Sequence, residues 1–282
     1  MPLDFIPIPE SKPSVLAALE RESFCASIDS QSFPNWEKVL KDASRHPKNY
    51  MRVQRQSWSD CQGQATANGS EKREGYVRKG KTRQRADSYA YAASEYIDQG
   101  RVGANRGSTI TAGVILQTKG ITKLGIGPGL PLEKDWKYER RTNTRKFISD
   151  AKSVDLQQSY LTEQQAMPDF ESTLIGMAAG GSGHIGIHWS GIRWKKLGNK
   201  REMTSRGRSG GHAVESVWAE WINGKWYLNV WNSHGDAWFY VGEKMWNRLV
   251  DMKFQPFGGF LLMPDKAEER YDYETWRRKL RK

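Results

Sequence analysis

"SGGHAVESVWAEWINGKWYLNVWNSHG" occupies residues 209–235, and how its alternation is read decides the fold. Apolar and aromatic residues recur at the period of two that a half-buried strand requires, on both sides of Asn223-Gly224. An Asn-Gly pair between two such runs signals a hairpin. A two-residue loop would set Ile222 opposite Lys225 and send His212 and Asn232 to opposite faces. A three-residue loop, Ile222-Asn223-Gly224 with Gly224 left-handed, sets Trp221 opposite Lys225 instead. His212, Val214, Trp218, Trp226, Leu228, Val230 and Asn232 then share one face, which also gathers more of the apolar residues. The three-residue register is the expectation.

Around this hairpin the second half of the chain reads as strand. "HIGIHW" (184–189), "AWFYV" (237–241) and "GGFLLM" (258–263) carry the same signal. The first half reads as helix, from Cys61 to about Lys79 and then in "ADSYAYAASEYIDQG" (86–100). There Tyr89, Ala92, Ala93 and Tyr96 recur at helical spacing and Gly100 is a natural stop. "GSTITAGVILQTKG" (107–120) follows, with Ser108 as N-cap, and "MPDFESTLIGMAAGG" (167–181) has Asp169 near its start. Helices first and strands later indicate an α+β protein. The expected organisation is an N-terminal arm over 1–33, one domain over 34–265, and a basic C-terminal helix or tail over 266–282. Within the domain the helical part runs from about 54 to 180 and the sheet part from about 181 to 265. The arm is proline-broken, with one short helix at "SVLAALERE" (14–22).

Composition narrows the class. The 282 residues include 12 Trp, 11 Tyr and 9 Phe, enough to bury a large core, and no apolar run approaches a membrane span. No signal core follows the N-terminus, so a cytoplasmic location without membrane attachment is expected. The two cysteines, Cys25 and Cys61, make no disulfide framework and fit a reducing compartment. His184 and His188 lie in "GGSGHIGIHW", where the glycines argue against a helix that would align them as metal ligands. Neither a metal nor a cofactor is implied. The net charge of +12 permits a nucleic acid or acidic partner. Seven basic residues within Lys72–Arg85 and five in the terminal "RRKLRK" are the segments that would serve one.

Cys61 is the informative thiol. Ser59-Asp60-Cys61-Gln62 fits a capping box, with Ser59 as N-cap and Gln62 at the third helical position. Cys61 then sits in the first turn, where free N–H groups and the helix dipole favour a thiolate. Gly63, Ala65, Ala67 and Gly69 keep the helix thin enough to lie beneath other structure. Asp60 works against the thiolate by adding negative charge beside it.

Together these segments resemble the papain-like cysteine peptidases. "SDCQGQATANGSE" resembles that family's nucleophile segment, "GGHAVESV" its Gly-His-Ala-Val around the catalytic histidine, and "WNSHG" its Asn-Ser-Trp-Gly around the orienting asparagine. The order agrees. His212 lies 151 residues after Cys61 and Asn232 lies 171 after, against about 130–150 in the papain type. The likeness runs from about Gln54 to Pro264. It departs where the family's first cysteine of Cys-Gly-Ser-Cys-Trp is absent and where His234 replaces the tryptophan that shields the Asn–His bond. The compact, unsecreted look is that of bacteriophage-encoded relatives.

The resemblance implies a papain-like fold, with Cys61 as nucleophile, His212 as base and Asn232 orienting the imidazole. Its oxyanion-hole glutamine falls at Gln56 or Gln54, of which Gln56 is favoured. The implied substrate is a polypeptide, cleaved at a peptide or isopeptide bond through a thioester. Hydrolysis and transamidation remain open, as do an amidase acting on cell-wall peptides and a catalytically silent virion protein.

Overall fold

The computed structural model describes residues 35–52, 60–104, 107–136, 143–166, 169–234, 237–251 and 259–264. The arm with Cys25, the segment holding Gln54, Gln56 and Ser59, and the basic tail lie outside them.

Helices α1 (Trp36–Lys41), α2 (Cys61–Val77), α3 (Asp87–Gln99), α4 (Ile110–Thr118) and α5 (Thr144–Ser153) come first. Strand β1 (Leu161–Ala166) and helix α6 (Phe170–Ala178) lead into β2 (Ser182–Ser190), β3 (Trp194–Leu197) and β4 (Lys200–Met203). The chain closes with β5 (Ser209–Ile222), β6 (Lys225–Trp231), β7 (Trp238–Gly242), α7 (Glu243–Val250) and β8 (Gly259–Pro264). The strands form one eight-stranded sheet in the order β1-β8-β2-β5-β6-β7-β4-β3. Two of these elements sit in the half assigned to the other class: β1 precedes α6 yet pairs with β8, and α7 interrupts the strands.

The hairpin register differs from the expected one. Ile222 pairs with Lys225 across a two-residue turn, in which Asn223 (φ 50°) and Gly224 (φ 80°) are both left-handed. Two left-handed central residues match the right-handed twist of the flanking strands, so the tighter loop prevails. His212 and Asn232 nevertheless share a face, because the register shifts by one between Ser216 and Trp218. Val217 is the extra residue of this bulge. Toward the turn Ala219 faces Leu228; beyond the bulge Ser216 faces Val230, which sets Val214 across from Asn232. Trp218 moves to the opposite face, alongside Asn229.

Helix α2 is polar yet buried from Cys61 to Gly75, lying between α3 and the sheet. Its small residues admit both neighbours. A Cβ on Gly63 would stand 2.5 Å from the Asp87 carbonyl oxygen and 2.7 Å from the Tyr91 nitrogen. Ser59, the expected cap of the box, lies outside the described residues. Asp60 is the N-cap and makes no side-chain cap, while Gln62 donates to Thr66 and accepts from Ser108. In α4 the N-cap is Thr109, whose hydroxyl accepts from the Ala112 N–H. Ser108, the expected cap, is committed to Gln62.

Three of the seven residues of the basic run are interior. Lys72, Arg73 and Arg85 are all 0% exposed. Lys72 donates to the Met177 and Gly181 carbonyls, and Arg73 to Ser182, Ser159 and Gln117. Arg85 pairs with Glu74 at 3.2 Å. Arg78, Lys79, Lys81 and Arg83 keep surface exposure, and Arg78 and Arg83 also bond Glu74. His184, considered and set aside as a metal ligand, lies 2.6 Å from Glu215 in the sheet. No described helix is long and apolar enough to cross a membrane.

Candidate active site

The site forms where the helical and sheet halves meet. Cys61, Ala65, Ile110 and Val114 from the helices pack with Ala213, Phe260 and Leu262 from the sheet. Cys61 opens α2 as a free thiol. The Ala213 N–H donates to Cys61 Sγ at 3.4 Å, which sets the sulfur against β5 at the residue after His212.

His212 Nε2 lies 2.8 Å from Asn232 Oδ1. The amide orientation is fixed by its own partners, since Nδ2 donates to the His234 carbonyl and Oδ1 accepts the His234 N–H. A carbonyl oxygen only accepts, so His212 carries its proton on Nε2. Nδ1 is then a bare lone pair, buried and without a hydrogen-bond partner among the described residues. That is the tautomer a general base needs.

Sequence reasoning led to a depressed thiol pKa, and here the structure corrects it. Burial pushes the Cys61 thiol up to about 12, opposed by the Ala213 N–H and reinforced by the charge of Asp60. Burial likewise draws His212 down to about 3, helped by His234 and opposed by the Asn232 bond. At 4% and 0% exposure, neither group has enough water to stabilise a separate charge. The resting pair is therefore thiol and neutral imidazole. Asp60, with its side chain accepting from Gln64 at 3.4 Å, is turned toward the helix but still weighs against the thiolate.

Two further rings adjoin His212. His234 follows Asn232 by two residues, and its ring centroid lies 5.0 Å from that of His212. Trp189 is closer, at 4.6 Å. The sequence reading passed Trp189 over, because its place depends on a distant pairing: Ile187 lies opposite His212, so Trp189 is on the same face two residues along.

The chain was compared with solved structures. It aligns with xylellain, a cysteine protease from Xylella fastidiosa, at a TM-score of 0.52 over 93% of this chain and 92% of that one, with 16% identity. The proform of the ragweed pollen allergen Amb a 11, a cysteine protease, gives 0.55 over 85% and 71%, also with 16% identity. The fold is that of the papain-like cysteine proteases. A structure comparing the mite allergens Blo t 1 and Der p 1 gives 0.53 over 89% and 77%, with 15% identity. No protein-family model matches the sequence, and no curated protein matches it either. Within this papain-like fold Cys61, His212 and Asn232 are brought to one place from α2, β5 and the end of β6. Gln56, expected at the oxyanion hole, lies outside the described residues.

Proposed function

We propose that the chain is a cysteine peptidase that cleaves a peptide or isopeptide bond through a thioester. The observation that carries this reading is the His212 Nε2–Asn232 Oδ1 bond, which leaves the Nδ1 lone pair free at the strand against which Cys61 lies. Nδ1 takes the thiol proton as Sγ attacks the substrate carbonyl. The proton passes to the departing amine, and the acyl group stays on sulfur. Water, deprotonated by the same nitrogen, releases the acid. The Cys61 N–H and, in this reading, the Gln56 side chain hold the oxyanion. Because the resting pair is neutral, proton transfer accompanies attack rather than preceding it.

The test is labelling with iodoacetamide. Wild type is compared with Cys61→Ala, Cys25→Ala and His212→Ala, followed by turnover of peptide libraries against muropeptides. The reading expects label on Cys61 that falls when His212 is replaced, and turnover of peptides. Hydrolysis of muropeptides alone would point instead to a cell-wall amidase on this fold. Labelling of Cys61 that ignores His212 would favour a protein that keeps the fold without the chemistry.

A further inference from the structure

The His212–Asn232 hydrogen bond joins the start of β5 to the end of β6, and both residues are buried, at 0% and 5% exposure. Two rings lie against His212. Trp189 lies 4.6 Å from His212 at an interplanar angle of 60°. His234 lies 5.0 Å from His212 at 41°, and 6.1 Å from Trp189 at 30°. Trp189 comes from β2 and His234 from the segment after β6, so the cover spans two segments. Its position follows from the register. His188 pairs with Gly211 and Ser190 with Ser209, which sets Gly210 across from Trp189. With no side chain at Gly210, nothing holds the indole away from His212.

The indole is itself supported from behind. Trp194 meets it edge-on at 5.8 Å, and Phe239 lies 6.1 Å from it. Those two rings pack against each other at 5.2 Å, and the Arg201 guanidinium lies 4.8 Å from the Trp194 ring. Aromatic neighbours on two other strands thus hold the ring in place.

Resting on the peptidase reading above, we propose that Trp189 is a positioning residue, which together with His234 excludes water from the His212–Asn232 hydrogen bond. Water reaching that bond would compete for the Nε2 proton and for Oδ1, weakening the one contact that fixes the tautomer. The indole supplies apolar area where His234 supplies only a small, half-polar ring. His234 also anchors Asn232 through its backbone N–H and carbonyl. The two thus divide the work: His234 holds the amide, and Trp189 keeps it dry.

The experiment reads the His212 Nε2 proton by NMR of the ¹⁵N-histidine-labelled full chain. In the wild type this proton exchanges with water slowly. Trp189→Leu speeds the exchange by about tenfold or more, and Trp189→Phe restores slow exchange. An Nε2 proton in the wild type that exchanges as fast as in free imidazole overturns the proposal, even if Trp189→Leu does not fold. So does a folded Trp189→Leu whose exchange stays at the wild-type rate. Iodoacetamide labelling of the same wild-type sample judges the peptidase reading separately. Labelling that ignores His212 sinks that reading while leaving the exchange result to decide the shield.

Discussion

His212 and Asn232 lie across a hairpin whose two-residue turn alone would send them to opposite faces, and the bulge at Val217 brings them back to one. Their 2.8 Å hydrogen bond therefore depends on a single extra residue in β5. Deleting Val217 is expected to move His212 away from Asn232 and abolish His212-dependent labelling of Cys61. Labelling that survives the deletion would show that the bulge does not set this geometry.

The neutral resting pair makes a prediction about pH. With the thiol raised to about 12 by burial and the imidazole lowered to about 3, thiol and neutral imidazole are the populated forms throughout pH 5–9. Because His212 takes the proton during attack, the His212-dependent iodoacetamide rate at Cys61 is expected to stay level from pH 5 to pH 9. A rate that climbs about tenfold per pH unit would signify free thiolate reacting without the imidazole.

Gly63 meets backbone on α3, which cannot swing aside as a side chain can. Gly63→Ala would bring its Cβ to 2.5 Å from the Asp87 carbonyl oxygen. The expected loss is about 1–3 kcal/mol, despite the gain in helix propensity. Chemical denaturation checks it, and an unchanged midpoint would contradict the close approach of α2 and α3.

Glu71 and Glu74 share one helix and titrate in opposite directions. Burial raises Glu71 to about 8 against the pull of the Arg85 N–H and charge. Burial would also raise Glu74, but Arg85, Arg78 and Arg83 overcome it and hold Glu74 below its ordinary range. The folded chain keeps a proton on Glu71 that the unfolded chain loses near pH 4.5. Stability from this group is full below that pH and declines as pH rises to about 8. Melting temperatures at pH 5 and pH 9 are expected to differ less in Glu71→Gln than in wild type. An equal difference would refute the assignment.

Any acidic partner of the basic run must use its exposed part. A nucleic-acid role for this segment predicts that replacing Arg78, Lys79, Lys81 and Arg83 with Gln reduces retention on immobilised DNA and flattens its salt dependence. Retention that stays unchanged dismisses this segment as the contact.

Much of this arrangement was legible in the chain. The helix from Cys61, the strands bearing His212 and Asn232, and the closing Gly100 (φ 69°) carry local signals that their surroundings reinforce. What was not legible depends on distant partners. The bulge at Val217 has no local signature, because it exists only relative to β6. Lys72, Arg73 and Arg85 read as part of a basic run that would serve an acidic partner, and only the distant oxygens that meet them explain their burial. The thiol's pKa follows the same rule: a helix start favours the thiolate, but burial by the sheet outweighs it. Helix α5 escaped notice because it buries only Phe147 and Ala151. In α7, Met245, Trp246 and Leu249 face the core at helical spacing within a stretch of strands.

The central claim is that Cys61, His212 and Asn232 act as one unit. The direct measurement is the second-order rate of Cys61 alkylation in His212→Ala, in Asn232→Ala and in the double variant. The account predicts that each single change slows the reaction and that the double variant is no slower than His212→Ala alone, since Asn232 works only through His212. Losses that multiply in the double variant would contradict it.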